Sequence, residues 1–204
     1  MRVENERFED ITGVILVGGK SRRMGRDKAF LPWDGAPLFE KVLAVFRDNF
    51  AKVLLVGGEE ERFAGYGCRV FADLYPGSAL GGLYTGLCHA GNDWVFVASC
   101  DMPFPSTALL RHLCSLKAGY DGVVPQTAQA LAPLYALYAK SALPAMLSLL
   151  QSGNLRIYDL YPLLRTRYVT AEELAPFAED GRAFINVNTP EEFSLWSASR
   201  KPKA

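Results

Sequence analysis

The sequence predicts an α/β fold, a mostly parallel sheet with helices on both faces. Three observations lead there. Half of the 204 residues are apolar, enough for one sizeable core in one domain. Several apolar runs are continuous and β-branched rather than alternating, as in strands buried on both faces. Between them lie segments of helical periodicity, and strands alternating with helices imply βαβ units.

The elements follow in order. "GVILV" (13–17) is the first buried strand, running into a glycine pair. "PLFEKVLAVFRDNF" (37–50) places Leu38, Val42, Val45 and Phe46 at helical spacing. "KVLLVGG" (52–58) is a second buried strand ending in two glycines, and "CRVFAD" (68–73) a short strand ending in an acid. "ALGGLYTGLCHAG" (79–91) reads as a helix with small residues on one side. "DWVFVASCDMP" (93–103) is a third apolar strand, with Asp101 just past its end. "STALLRHLCSLKAG" (106–119) is an amphipathic helix closed by glycine. "DGVVPQ" and "APLYALY" are two more strands, and the "APLYALY" region departs from strict alternation, so some mixed or antiparallel pairing is expected there. "ALPAMLSLLQSG" and "LRIYDLYPLL" read as helices and "RTRYVT" as a late strand. "AFINVNTPEEFSLW" (183–196) closes the fold, where Thr189, Pro190 and Glu192 form a capping box with proline at the first helical position. The expected organisation is a loose extension over 1–10, one domain over 11–196 and a flexible tail over 197–204.

Composition excludes several classes. Twenty-two basic residues balance twenty-two acidic ones, which argues against a general nucleic-acid or membrane-surface binder. No apolar stretch reaches the roughly 18 residues needed to span a bilayer, and "MRVENERFED" lacks the apolar core of a signal peptide. The four cysteines form no CxxC pair and only two histidines are present, so a zinc site is not expected. The cysteines read as small buried hydrophobes in a reducing compartment, and the chain as a soluble cytoplasmic protein.

Against this neutral background, "VILVGGKSRRMGRDKAFLPW" (14–33) concentrates Lys20, Arg22, Arg23, Arg26 and Lys28 directly after a strand and a glycine pair. Adjacent glycines bring backbone amides close to a ligand, arginines add forked donors, and Lys28 adds a mobile point charge. The loop reads as an anion cradle. It is not a dinucleotide fingerprint, because Gly18 and Gly19 are adjacent and the next glycine is Gly25. Nor is it a P-loop, because five residues separate Gly19 from Gly25 and Arg26 stands where lysine is required. In open α/β sheets ligands bind beyond the carboxyl ends of strands, and this loop, Asp73 and Asp101 all follow strands. Asp101 is suited to holding Mg²⁺ against phosphates, and Asp73 to completing that site or orienting a nucleotide.

These motifs resemble a known family. "LVGGKSRRMGRDK", "FADLYPGSALGGLYTGL", "VASCDMP", "APLYALY" and "FINVNTPEEF" are similar, across nearly the whole chain, to the signatures of molybdenum cofactor guanylyltransferases, the MobA family. The resemblance implies a single-domain Rossmann-like nucleotidyltransferase fold. It implies transfer of GMP from GTP to Mo-molybdopterin, with release of pyrophosphate and Mg²⁺ as cofactor. By position, Leu16, Val17, Gly18 and Gly19 would hold the nucleotide through the backbone. Lys28 would contact its phosphates, with Arg22 and Arg23 beside it. Asp73 would bind nucleotide, Asp101 both nucleotide and Mg²⁺, and Asn186 and Asn188 would line the acceptor side. Proteins that deliver molybdopterin, and molybdoenzymes that receive the product, are implied partners. The chain departs from the family pattern at three places: Val17 replaces an alanine, Val56 stands where some relatives carry a nucleotide-contacting Asn, and Ser78-Ala79 replace Gly-Pro in the base-binding turn. Arg156 in "GNLRIYDL" is placed to reach an acceptor phosphate.

No Ser-His-Asp or Cys-His arrangement is legible, so Lys28 is assigned a transition-state role and Asp101 a metal role rather than acid–base roles. The nearest rival is a cytidylyltransferase acting on molybdopterin or on a sugar or polyol phosphate. The second glycine, Gly19, opposes it, since such enzymes commonly carry L-A-A-G. A sugar-nucleotide pyrophosphorylase is usually longer. A non-catalytic nucleotide-binding regulator is opposed by the joint presence of Lys28 and Asp101.

Overall fold

The computed structural model describes residues 6–18, 28–177 and 181–198. Its centre is a seven-stranded sheet built from β1 (Phe8–Leu16), β4 (Phe50–Val56), β5 (Arg69–Phe71), β6 (Trp94–Ser99), β7 (Gly122–Pro125), β8 (Tyr135–Ala139) and β9 (Thr166–Val169). The strand order is β5-β4-β1-β6-β8-β7-β9. β1 pairs in parallel with both β4 and β6, and β8 alone runs against its two neighbours. The reversed strand is "YALYA", within the region where strict alternation failed in the sequence. β1 begins at Phe8, inside the stretch read as an extension, and Phe8 pairs with Phe50.

Side chains alternate along each strand between two cores. Ile15, Leu55, Phe96 and Tyr135 face one side, where α1 (Phe39–Asn49) and α4 (Thr107–Ser115) contribute Phe46, Leu110 and Leu113. Leu16, Val56, Val97 and Tyr138 face the other, where α3 (Ala79–His89) and α5 (Leu143–Gln151) contribute Leu83, Leu87, Met146 and Leu150. Burial on both faces is why these strands read as uninterrupted apolar runs.

Smaller elements refine the expected ones. A hairpin of β2 (Pro32–Trp33) and β3 (Ala36–Pro37) turns through Asp34 and Gly35, at φ 51° and 82°. An Asp-Gly pair is the usual signature of such a turn, yet the two short proline-bearing strands carry no periodicity. A single helical turn, α2 (Glu60–Phe63), follows β4. Another, α6 (Ala171–Leu174), starts with a full capping box between Thr170 and Glu173. The helix expected over 106–119 stops at Ser115, and Gly119, at φ 84°, ends a separate turn. "IYDLYPL" is a 3₁₀ helix, Ile157–Leu163, with Pro162 inside its last turn, rather than the α-helix expected. Cys100 and Cys114 are buried, but Cys68 is half-buried and Cys88 lies exposed on the outer side of α3. Among the described residues no helix is long and apolar enough to cross a membrane.

A third, small core joins the end of the chain to its beginning. Trp33 packs edge-on against Phe104 and Phe193, at centroid distances of 5.9 and 5.4 Å, and Trp196 closes on Phe104 at 6.0 Å. Phe193 and Trp196 belong to α7 (Pro190–Ala198), so this cluster fixes the last helix beside the hairpin.

Candidate active site

β1 lies where the connectivity reverses, with β4 on one side and β6 on the other. The carboxyl ends of these strands splay apart there, and a crevice follows. Gly18 follows β1, Gly57 and Gly58 follow β4, Asp73 follows β5 and Asp101 follows β6.

The crevice holds a cleft of about 880 Å³. Leu16, Val17 and Gly18 form one wall and Gly57, Gly58 and Glu59 another, with Asp73 and the Ser78–Ala79 turn across from them. The floor is backbone against backbone. A Cβ on Gly18 would stand 2.6 Å from the Gly57 carbonyl oxygen, and one on Gly57 would stand 2.9 Å from the Gly18 Cα. The amides of Val17 and Gly18 both donate to the Val56 carbonyl, at 2.9 and 3.3 Å. Where Val56 removes a possible side-chain contact, the neighbouring glycines therefore present main chain. Ser78 accepts the Gly81 amide at 3.0 Å as N-cap of α3, so the Ser-Ala replacement in the turn has a helix-starting role.

Asp73 sits at the back of this cleft. Its Oδ1 accepts the Tyr75 amide at 3.0 Å and lies 3.1 Å from the Thr85 hydroxyl, which in turn accepts the Leu74 amide at 2.9 Å. Burial raises its pKa above the ordinary carboxylate value, and the Tyr75 and Thr85 hydrogen bonds partly oppose the rise. Thr85 is fully buried and was not singled out from the sequence. It lies on the helix face turned toward the sheet, among residues that read only as small.

Lys28 lies on the other side, in a 3₁₀ turn (Lys28–Phe30). Its ammonium donates to Asp101 Oδ2 at 3.2 Å and to Asn188 Oδ1 at 2.6 Å. The Ser99 hydroxyl donates to Asp101 Oδ1 at 2.6 Å, and Asp101 is only 7% exposed. The Val187 amide donates to the Asp101 carbonyl at 2.9 Å. Strand, 3₁₀ turn and C-terminal segment thus meet around Asp101. Ser99 was missed from the sequence, although residues two apart at a strand end share a face.

A second cleft of about 440 Å³ opens beyond Asp101, lined by Met102, Leu131, Tyr135, Tyr158, Ile185 and Asn186, among others. Leu134 lines both clefts, and Ser99 and Met102 flank Asp101 on the two sides. Asn186 therefore lines the second cleft, while Lys28, Asp101 and Asn188 line neither and Asn188 is held against Lys28. Arg156 is not among the lining residues of either cleft. Its guanidinium lies 4.0 Å from Asp159 and is largely exposed, because the preceding turn carries it onto the surface. Gly19, Arg22 and Arg23, together with Lys20, Arg26 and Asp27, lie outside the described residues.

No group of three or more His, Cys, Asp or Glu placed to cage a metal occurs among the described residues. The donor set nonetheless suits a hard cation: Asp101 offers carboxylate oxygen, and Mg²⁺ is usually held by one or two carboxylates plus substrate phosphates and water.

Comparison with known proteins agrees with this geometry. Residues 13–167 match the family model of the MobA-like NTP transferase domain. The chain is 41% identical over 180 residues to a probable molybdenum cofactor guanylyltransferase of Pelotomaculum thermopropionicum, covering 88% of each chain. It is 30% identical over 197 residues to the molybdenum cofactor guanylyltransferase of Desulfosudis oleivorans, covering 95% and 98%. Its fold superposes on the molybdopterin-guanine dinucleotide biosynthesis protein A of Archaeoglobus fulgidus with a TM-score of 0.81 at 29% identity, over 92% and 97% of the two chains. A 4-diphosphocytidyl-2C-methyl-D-erythritol synthase from Anaerococcus prevotii shares the fold alone, with a TM-score of 0.66 at 12% identity. The glycine-floored cleft, the nearby Lys28–Asp101 pair and the extent of these matches lead to one conclusion: the chain belongs to the MobA-like NTP transferase family.

Proposed function

We propose that this nucleotidyltransferase transfers GMP from GTP to Mo-molybdopterin, forming the guanine dinucleotide cofactor and releasing pyrophosphate. The observation that carries the proposal is the Lys28–Asp101–Asn188 cluster, whose aspartate lies in the chain between Ser99, which lines a cleft floored by glycines, and Met102, which lines one of apolar and amide side chains. The larger cleft takes the nucleotide, with Leu16, Val17, Gly18 and Asp73 around it. The smaller takes the acceptor, with Asn186 on its wall. The names carried by the relatives support guanine and molybdopterin over the cytidylyl alternatives.

The transfer needs no side-chain nucleophile. An acceptor phosphate oxygen, already anionic at neutral pH, attacks the α-phosphorus. The bond from that phosphorus to the bridging oxygen breaks, and pyrophosphate leaves with the electron pair. The obstacle is the approach of one anion to another, so catalysis rests on positioning and charge. Lys28 supplies positive charge at the junction, and Gly18 offers backbone where no side chain intrudes. Asp101 and the substrate phosphates would hold Mg²⁺, which neutralises phosphate charge when bound. Arg22 and Arg23 belong to the same basic loop and are proposed to face the leaving group. Proteins that supply molybdopterin and accept the product complete the proposal.

The test is pyrophosphate release from each of the four nucleoside triphosphates, with Mg²⁺ and molybdopterin. Release with GTP alone is expected. Release led by CTP would transfer the chain to the cytidylyl reading, and GTP binding without release would make it a regulator.

A further inference from the structure

Glu192 stands three residues into the last helix and reaches no substrate cleft, yet its carboxylate organises the junction. One oxygen, Oε2, accepts the Thr189 amide at 3.2 Å, and the Thr189 hydroxyl accepts the Glu192 amide at 3.2 Å, a complete capping box. The same oxygen accepts the Asn188 amide at 2.6 Å, the shorter of its two contacts and one residue beyond what a capping box requires. The segment is held from the other end as well, by the Val187 amide on the Asp101 carbonyl at 2.9 Å. Asn188 is thereby clamped on both sides. An ammonium only donates, so the Asn188 carboxamide must turn its oxygen to Lys28, as the 2.6 Å contact has it. Its Nδ2 makes no hydrogen bond among the described residues, which leaves it for an incoming phosphate.

We propose that Glu192 is a positioning residue for the nucleotidyl transfer: through the Asn188 backbone it sets the carboxamide that holds Lys28 at Asp101. The inference rests on the proposed transfer for its kinetic effect, but not for its effect on Lys28. A mere helix cap would change stability and leave turnover alone. A positioning residue changes kcat while KM for GTP stays nearly constant, because the bound nucleotide loses alignment rather than contacts.

The experiment is a double-mutant cycle of Glu192→Ala and Asn188→Ala, with Glu192→Gln as the conservative variant. Expected are a fall in kcat of about tenfold for Glu192→Ala, KM for GTP unchanged within about twofold, and recovery of most of the rate in Glu192→Gln, which keeps an acceptor oxygen. The double variant should be no slower than Asn188→Ala alone, since both changes act through one contact. Multiplicative losses would overturn the proposal. A second readout is independent of activity: labelling of the Lys28 amine by an acylating reagent, followed by mass spectrometry. Several-fold faster labelling is expected in Glu192→Ala and not in Glu192→Gln. Equal labelling in all three proteins overturns the positioning role. An inactive wild type whose Lys28 labelling responds as expected would instead refute the proposed transfer alone.

Discussion

Replacing Gly18 by alanine tests the floor of the proposed nucleotide cleft. The added methyl carbon would meet the Gly57 carbonyl oxygen at 2.6 Å, its Cα at 2.8 Å and its carbonyl carbon at 2.9 Å. All three are backbone atoms, so no side chain swings away. Bringing the closest contact to 3.0 Å, the shortest that real Cβ atoms show, needs an opening of about 0.4 Å. That opening strains the hydrogen bonds from Val17 and Gly18 to Val56 and the bond from the Gly57 amide to the Phe71 carbonyl. Overpacking of this kind costs about 1–3 kcal/mol. With a urea slope of about 2 kcal/mol per molar, a loss of ~2 kcal/mol lowers the midpoint by ~1 M. The same opening misplaces the backbone at the nucleotide, so kcat/KM for GTP should fall by about 10- to 100-fold. Gly65→Ala is the control, because its added methyl meets nothing within 4 Å. Urea unfolding and steady-state kinetics on both variants decide the matter. If Gly18→Ala unfolds with the control and keeps its kcat/KM, the glycine contact is not a constraint and the argument from it fails.

Three further outcomes are expected. Lys28→Ala should lower turnover by at least ~10², the usual consequence of losing one preorganised charge donor; unchanged GMP transfer in a folded variant would remove Lys28 from the reaction. Asp73→Asn should modestly stabilise the ligand-free protein, since burial disfavours the charged carboxylate, while weakening nucleotide binding. A lower melting temperature together with unchanged GTP affinity would contradict both halves. Asp121 accepts two guanidinium hydrogen bonds from Arg165 and one from the Ser141 hydroxyl, which hold its carboxyl far below the usual range. Its folded pKa is depressed, so its contribution is complete above about pH 4 and is lost as pH falls toward the folded value. Asp121→Asn should therefore lower stability at neutral pH and flatten the acid limb of a stability–pH curve. An acid limb identical to wild type would place the sensitivity elsewhere.

The central strands were legible because their core stretches are buried on both sides. Val14, Ile15, Leu16 and Val95, Phe96, Val97 alternate between the two cores, but every position is apolar, so the runs could not be mistaken for surface. The residues after them, Gly18, Asp73 and Asp101, followed from topology. Other parts were hidden for physical reasons. The end of α4 at Ser115 depends on local turn geometry that the helical pattern continued past. Thr85 and Ser99 act through single hydrogen bonds to carboxylates remote or adjacent in sequence, and neither has a distinctive spacing. Glu192 was legible as a cap. Its contact with Asn188, and so with Lys28, required the fold.

The bond between Lys28 and Asn188 joins positions 160 apart in the chain. At translation rates of about 5–20 residues per second, roughly 8–32 s separate the synthesis of these two residues. The first strand and the glycine loop emerge early, but the lysine acquires its partner only near the end. Any product halted before Asn188 would carry the anion loop without the clamp that orders its lysine. Under the role proposed for Lys28, such a fragment transfers no nucleotide, so activity waits on the last turns of the domain.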